Sequence, residues 1–213
     1  MKVPANTPEQ AQPPVPEHRT VPGLRLVRLD RNNPEVDLLR EVVARQRVAP
    51  GQRRFVDEAV HTLPRADDDP ERFPYAIVLT DGDLSDRSGA MEACVGFGIV
   101  DRRGILREVV DEPDKAVLLR AFYVAPEHQG RGIGRTACSA PLLDLLVAQV
   151  APRTEEIVLC LNEGNEDGER TYRAAGFEPT GRLHDAGEHG PQRVFARPLQ
   201  TGSHPVPRLP EPR

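Results

Sequence analysis

No stretch of this chain is long and apolar enough to cross a bilayer, and the first eighteen residues lack the apolar core of a secretory signal. Cys94, Cys138 and Cys160 are odd in number, widely spaced and form no C-x-x-C pair, which reads as reduced thiols rather than a disulfide frame. A cytoplasmic protein is therefore expected. There is no basic excess either: the net charge is −5 and the pI about 5.7, which argues against nucleic acid as a partner. A membrane partner is excluded on the same compositional grounds. No compact H-x-x-x-H arrangement is present, so His184, Asp185, Glu188 and His189 read as a polar hairpin loop and no metal site is expected. No internal repeat is evident. What remains is a chain of 213 residues with a 38% hydrophobic share and a mean hydropathy of −0.49, enough for one domain with a real core. Proline-rich polar segments at 1–22 and 201–213 are expected to be mobile tails around a single domain at 23–200.

Within that domain the periodicities alternate. Leu24, Leu26 and Leu29 between arginines predict a half-buried strand over 23–30. Asn33-Pro34 is a helix start, and Val36, Leu39, Val42 and Val43 carry the helix toward residue 48. Pro50-Gly51 breaks it. A second helix over 52–63 would place Phe55, Val56, Ala59 and Leu63 on one face. Strands follow at 75–80 and 93–101, separated by a polar turn at 83–91, and another strand is expected at 116–124. A helix over 136–150 carries Pro141, which predicts a kink. The isolated apolar strand at 157–162 after that helix implies a right-handed crossover into a parallel neighbour. A short helix at 168–175 and a hairpin of strands 177–183 and 193–199 complete the domain.

The richest stretch joins the strand at 116–124 to the helix after it. Between them stands Gln129-Gly130-Arg131-Gly132-Ile133-Gly134, followed by Arg135. Unpaired N–H groups and the dipole at a helix start favour an anion. Glycines keep Cβ atoms away from those amides, and Arg131 and Arg135 add positive charge. A phosphorylated ligand is the expectation. The Gly-Lys-Ser/Thr ending of a Walker loop is absent, and G-x-G-x-x-G fails at Arg135.

Q-G-R-G-I-G, with the lead-in Phe122-Tyr123-Val124-Ala125-Pro126-Glu127, resembles the Q/R-x-x-G-x-G/A signature of the GNAT superfamily of N-acetyltransferases. Downstream, Asn165, Tyr172, Gly176 and Phe177 fall at the offsets of that superfamily's N-x-x-A-x-x-x-Y-x-x-x-G-F motif, with Gly168 in place of the alanine. The resemblance implies an α/β (α+β) fold: a mixed, mostly antiparallel central sheet with one parallel strand pair at the cofactor cleft, flanked by helices. It implies acetyl-CoA as co-substrate, its pyrophosphate held by Gln129, Gly130, Arg131, Gly132, Ile133, Gly134 and Arg135. Phe122, Tyr123 and Val124 would hold the pantetheine arm through their backbone, and Asn165 would contact the cofactor or fix its loop. Tyr172 would be the catalytic acid toward the departing thiolate, since a phenol of pKa about 10 keeps its proton at neutral pH.

The implied activity is direct transfer of an acetyl group to a primary amine in a ternary complex. Gln52-Arg53-Arg54-Phe55-Val56 with Thr62-Leu63, and Gly176 to Gly181, resemble a bacterial subgroup that acetylates spermine and spermidine. A small cationic amine such as a polyamine is thus the first expectation, with Asp57, Glu58, Glu188 and the acidic loop at 67–69 as groups able to attract it. Against it, Ala59 replaces that subgroup's asparagine, and Arg120 stands where some relatives carry a glutamate base. No carboxylate lies on 116–124, so the base falls to a water chain or to Glu58 or Glu92. Cys160, mid-strand in an apolar run, reads as an inert thiol rather than a nucleophile. An acetyltransferase of protein amines and a non-catalytic coenzyme A-binding module are the alternatives. Relatives commonly pair through the sheet edge, which makes a homodimer the expected assembly if there is one.

Overall fold

The computed structural model describes residues 23–187 and 190–200. The tails at 1–22 and 201–213, and Glu188 and His189 of the hairpin loop, lie outside the described residues.

Seven strands form one sheet in the order β1-β2-β3-β4-β5-β7-β6: β1 Leu24–Arg28, β2 Arg72–Leu79, β3 Cys94–Asp101, β4 Ala116–Val124, β5 Glu156–Asn162, β6 Glu178–Asp185 and β7 Pro191–Pro198. Every neighbouring pair is antiparallel except β4 and β5. That exception follows from the helical crossover between them, which returns the chain in the same direction. The mixed sheet with a single parallel pair is the architecture expected.

Both faces are buried. Tyr75, Ile77, Val95, Val117, Leu119, Ile157 and Leu159 meet helices α5 (Ile133–Cys138) and α6 (Leu142–Val150) on one face. Their alternates Ala76, Val78, Phe97, Ile99 and Tyr123 meet α1 (Pro34–Val43), α2 (Ala59–Asp67) and α3 (Arg87–Ala93) on the other. Two-sided burial explains why β2 and β3 are continuous apolar runs rather than alternating ones. A third cluster packs α4 (Leu106–Val109) onto Ala116, Leu118, Val158 and Val194. Helix α7 (Glu166–Ala174) follows β5.

The helices differ from expectation at α1, at α2, at α3 and over α5–α6, and α4 has no counterpart in the expectation. Helix α1 starts as expected, with the Asn33 side chain accepting from the Val36 N–H at 3.0 Å, but stops at Val43 because its apolar stripe is exhausted there. Helix α2 begins at Ala59, not near Gln52: Pro50–Gln52 is a single 3-10 turn, and the chain then extends through Glu58 before coiling. Phe55 and Val56 consequently stand in a loop instead of sharing a helix face with Leu63. The polar turn at 83–91 ends in α3, capped by Asp86, whose carboxylate accepts from the Gly89 N–H at 2.8 Å. Only its alanines Ala90 and Ala93 face inward, too weak a stripe to read from sequence. Finally, the expected helix over 136–150 is two helices. Helix α5 begins at Ile133, and Ser139 to Pro141 separate it from α6, with a cis Ala140–Pro141 peptide.

Candidate active site

Strands β4 and β5 pair only from Ala116 to Leu118. Beyond that point they splay, and the cause lies on the other edge of β4. There Tyr123 faces Phe97 and Arg120 faces Ile99, so Ala121 and Phe122 together oppose the single residue Gly98. This β-bulge turns β4 away from β5, and Ala121 takes φ 49°, a left-handed conformation that costs a non-glycine residue about 1–2 kcal/mol. Such strain persists where surrounding structure enforces it, commonly at functional sites.

The splay opens a cleft of about 520 Å³. Its walls are the free edge of β4, residues 159–162 of β5, the turn into α5, the first two turns of α7, and Gln52, Phe55 and Val56 from the loop before α2. Of the residues singled out from sequence, Phe122, Tyr123, Val124, Gln129, Gly130, Gly132, Ile133, Gly134, Arg135, Asn165 and Tyr172 all line it. Arg131 is exposed and does not.

In the turn, the first helical bond runs from the Thr136 N–H to the Gly132 carbonyl. Among the described residues no backbone acceptor outside the helices and strands meets the N–H groups from Gly130 to Arg135. Gly130 and Gly132 hold φ of 73° and 78°, which turn successive amides toward one side. Gly134 serves a different purpose: a Cβ there would stand 3.1 Å from Thr171 Cγ2, so its bareness seats α5 against α7. Ile133 is 1% exposed and anchors the turn in the core, leaving only its amide to the cleft.

Gln129 is occupied inside the protein. Its amide donates to the Val124 carbonyl at 2.8 Å and to Gln52 Oε1 at 2.9 Å, tying the end of β4 to the loop that carries Phe55. Tyr123 is buried on the far face with its ring 5.9 Å from Phe97, so only its backbone faces the cleft. Asn165 caps α7, accepting from the Gly168 N–H at 3.0 Å. A Cβ on Gly168 would come within 2.7 Å of that Asn165 oxygen, which accounts for glycine at this position.

Tyr172 projects from α7 between Phe122 and Phe177, with ring centroids 6.1 and 5.9 Å away. Burial, with a lesser contribution from the Cys138 thiol, pushes its pKa well above that of an ordinary phenol. At neutral pH it holds its proton. Cys160 also lines the cleft, but burial lifts its thiol to about 11 against an opposing pull from Arg120. It stays protonated and is a poor nucleophile. The proposed bases do not reach the cleft. Glu58 accepts from the Val48 N–H at 3.2 Å and lies 3.5 Å from Arg47 and 3.7 Å from Arg53; Glu92 is exposed on α3. Among the described residues no three metal-ligating side chains converge, and His184 instead sets Nδ1 3.3 Å from Glu108.

Sequence reading passed over several lining residues, among them His128, Asp167, Arg170 and Thr171. His128 has a buried, unpartnered Nδ1, and burial lowers its pKa, so the ring is neutral at pH 7. Asp167 and Arg170 pair with each other at the exposed rim. Thr171 packs on Gly134. Asp167, Arg170 and Thr171 stand at positions i, i+3 and i+4, so they share a helix face that sequence spacing marks only once one of them is placed in the cleft.

The same fold recurs in solved structures. Aminoglycoside acetyltransferase AAC(6')-Ib, solved with paromomycin and acetyl-CoA, is 17% identical with a TM-score of 0.56, over 84% of this chain and 94% of that one. An aminoglycoside N(6')-acetyltransferase from Legionella pneumophila is 14% identical with a TM-score of 0.54, over 83% and 92%. Spermidine N-acetyltransferase from Vibrio cholerae, solved with CoA and spermine, is 13% identical with a TM-score of 0.50, over 83% and 95%. These likenesses establish the fold. No curated protein matches the chain by sequence. A family model does, over residues 38–177, from within α1 past the end of α7: the chain belongs to the acetyltransferase (GNAT) family.

Proposed function

We propose that this protein transfers an acetyl group from acetyl-CoA to a small primary amine by direct attack within a ternary complex. The observation that carries the reading is the continuity of three features: unpaired amides from Gly130 to Arg135, the unpaired edge of β4, and the protonated Tyr172 facing both. Amides in the turn suit a pyrophosphate, with Arg135 supplying positive charge beside them. The freed backbone of residues 119–124 suits an extended pantetheine arm, adding hydrogen bonds as an extra strand would. Acetyl-CoA supplies the activated acyl group; every proton movement then falls to groups of this chain and to water. Tyr172 delivers its proton to the departing thiolate. Direct transfer is favoured over an acyl-enzyme because the only thiol in the cleft is protonated. The amine loses its proton to water, since no inner carboxylate lines the cleft among the described residues.

A cleft of this volume between two strands suits a small acceptor better than a protein segment. The polyamine expectation draws on the fold shared with spermidine and aminoglycoside acetyltransferases. Its local support is thin: Glu58, Asp67 and Asp69 pair with Arg47, Arg40 and Arg72 instead of facing the cleft. The test is thiol release from acetyl-CoA over a panel of amines, paired with calorimetry of coenzyme A binding. Tyr172→Phe should lower kcat by about a hundredfold or more and leave coenzyme A affinity unchanged. Coenzyme A binding with no turnover of any amine would leave a non-catalytic module; absence of binding would end the reading.

A further inference from the structure

We infer that the acceptor carries a carboxylate near its amine, and that Arg120 is the group that recognises it. The inference rests on the acetyltransferase reading and names the substrate class of the same cleft.

Arg120 sits on β4 one residue before the bulge and lines the cleft beside Cys160. It is a braced arginine. One guanidinium nitrogen donates at 2.9 Å to Asp101, whose side chain is 0% exposed. That carboxylate is fixed in turn by the Arg103 N–H at 2.9 Å and by Arg72 Nε at 3.2 Å. Asp101 is shared between two guanidinium groups, of which Arg72 also meets Asp69 at 3.2 Å, so Arg120 is braced through one nitrogen and keeps its other donors. No other described residue accepts from Arg120, and its side chain remains 41% exposed. A rigid fork with most of its donors free is suited to bidentate capture of a carboxylate.

The surroundings repel the alternative. Among the described residues Asp167 is the one carboxylate lining the cleft, and it is spent on Arg170 at the outer rim. Arg120, Arg135 and Arg170 all line the cleft, and Arg54 stacks at 4.5 Å on the ring of the lining residue Phe55. A polycation entering here meets arginine and apolar surface with no counter-charge. An amino acid brings one positive and one negative group, and the negative one meets Arg120 next to the reacting end of the bulge.

The test compares matched acceptors in thiol release by the full chain. Glycine, β-alanine, 4-aminobutyrate, L-ornithine and L-lysine are set against glycinamide, ethylamine, putrescine, cadaverine, spermidine and kanamycin. Ornithine and putrescine, like lysine and cadaverine, differ only by the carboxylate. At least one carboxylated amine should exceed its uncharged or decarboxylated partner by about 10- to 100-fold in kcat/KM, the range of a charge-assisted hydrogen bond. In Arg120→Gln that preference should vanish through KM for the acceptor, with KM for acetyl-CoA unchanged. Preference for putrescine, cadaverine or kanamycin in the native enzyme overturns the inference without any variant. So does turnover of no carboxylated amine while acetyl-CoA binds, or a preference that survives Arg120→Gln. Failure to bind acetyl-CoA would strike the acetyltransferase reading itself, a separate result.

Discussion

Tyr75 is a fully buried tyrosine of the core and carries an unanswered polar atom. Its ring crosses Gly98 on the neighbouring strand, where any Cβ would stand 2.5 Å from the hydroxyl. The hydroxyl is sealed from solvent with no partner among the described residues. An orphaned buried donor costs about 1–3 kcal/mol relative to its solvated state. Tyr75→Phe should therefore raise the free energy of unfolding, by about 1 kcal/mol in denaturant titration, since the ring and its contacts remain. The protein has three tyrosines, and burial raises the pKa of all three: Tyr75, Tyr123 and Tyr172. Folding thus favours the neutral phenols. Their contribution to stability is complete below the unfolded value of about 10 and is lost as pH rises beyond it. A spectrophotometric titration should show no phenolate absorbance from the native protein near pH 10.5, and about three quarters of the full signal of three tyrosines in denaturant. At this scale the glycine turn before a helix start was legible from its own residues, whereas Tyr172 and Asn165 were singled out by resemblance to the GNAT motif. The tasks of Gln129 and Gly134 were not legible, because each depends on a contact made by a residue far away in sequence, Gln52 and Thr171 respectively.

Helices α5 and α7 wall the cleft that the splay of β4 from β5 opens. Between α5 and α6 the chain exposes the Cys138 carbonyl, which accepts from Arg197 Nε at 3.2 Å and from a second guanidinium nitrogen at 3.1 Å. Arg197 comes from β7 and is 3% exposed; it also pairs with Asp144 of α6, itself 5% exposed. The other Asp144 oxygen accepts from the Gln200 N–H at 2.8 Å. This buried pair locks the end of β7 to the joint behind the turn at Gly130–Arg135. Removing one partner strands a charge in a dry site, so Asp144→Ala should cost about 3–5 kcal/mol of stability, read by chemical denaturation. Replacing both residues with apolar ones of similar volume should cost far less. Sequence reading found every strand: the central ones because apolar runs buried on both faces declare themselves, half-buried β1 by its alternation and exposed β6 as the partner of β7 in a hairpin. It misjudged helices α2, α3 and α4, which bury two or three small or isolated apolar residues each and are held by packing rather than by pattern. The consequence for the site was real, since moving the start of α2 to Ala59 is what frees Phe55 and Val56 to line the cleft.

Across the whole molecule the sheet is two half-sheets, β1 to β4 and β5 to β6, joined in register only at Ala116–Leu118. The turn at Gly130–Arg135 belongs to the first half, and α7 with Tyr172 follows from the second. A ligand seated on both adds a connection where the backbone ladder stops. It should therefore stabilise the fold as a unit, not merely order a loop. At a coenzyme A concentration a hundred times its dissociation constant, linkage gives about 2.7 kcal/mol. For a protein of this size that corresponds to a rise of roughly 5–10 °C in Tm. Gly132, at φ 78°, provides the control. Gly132→Ala adds a Cβ at a left-handed position, with an intrinsic cost of about 1–2 kcal/mol, and should rotate the amides out of register. The unliganded variant will melt lower for that reason alone, so the informative quantity is the difference between liganded and free Tm for each protein. That difference should collapse in Gly132→Ala and persist in Tyr172→Phe, which alters proton delivery and not the turn. An undiminished ligand-induced shift in Gly132→Ala would mean that the pyrophosphate is held elsewhere, and that the amides between β4 and α5 are not the seat of binding.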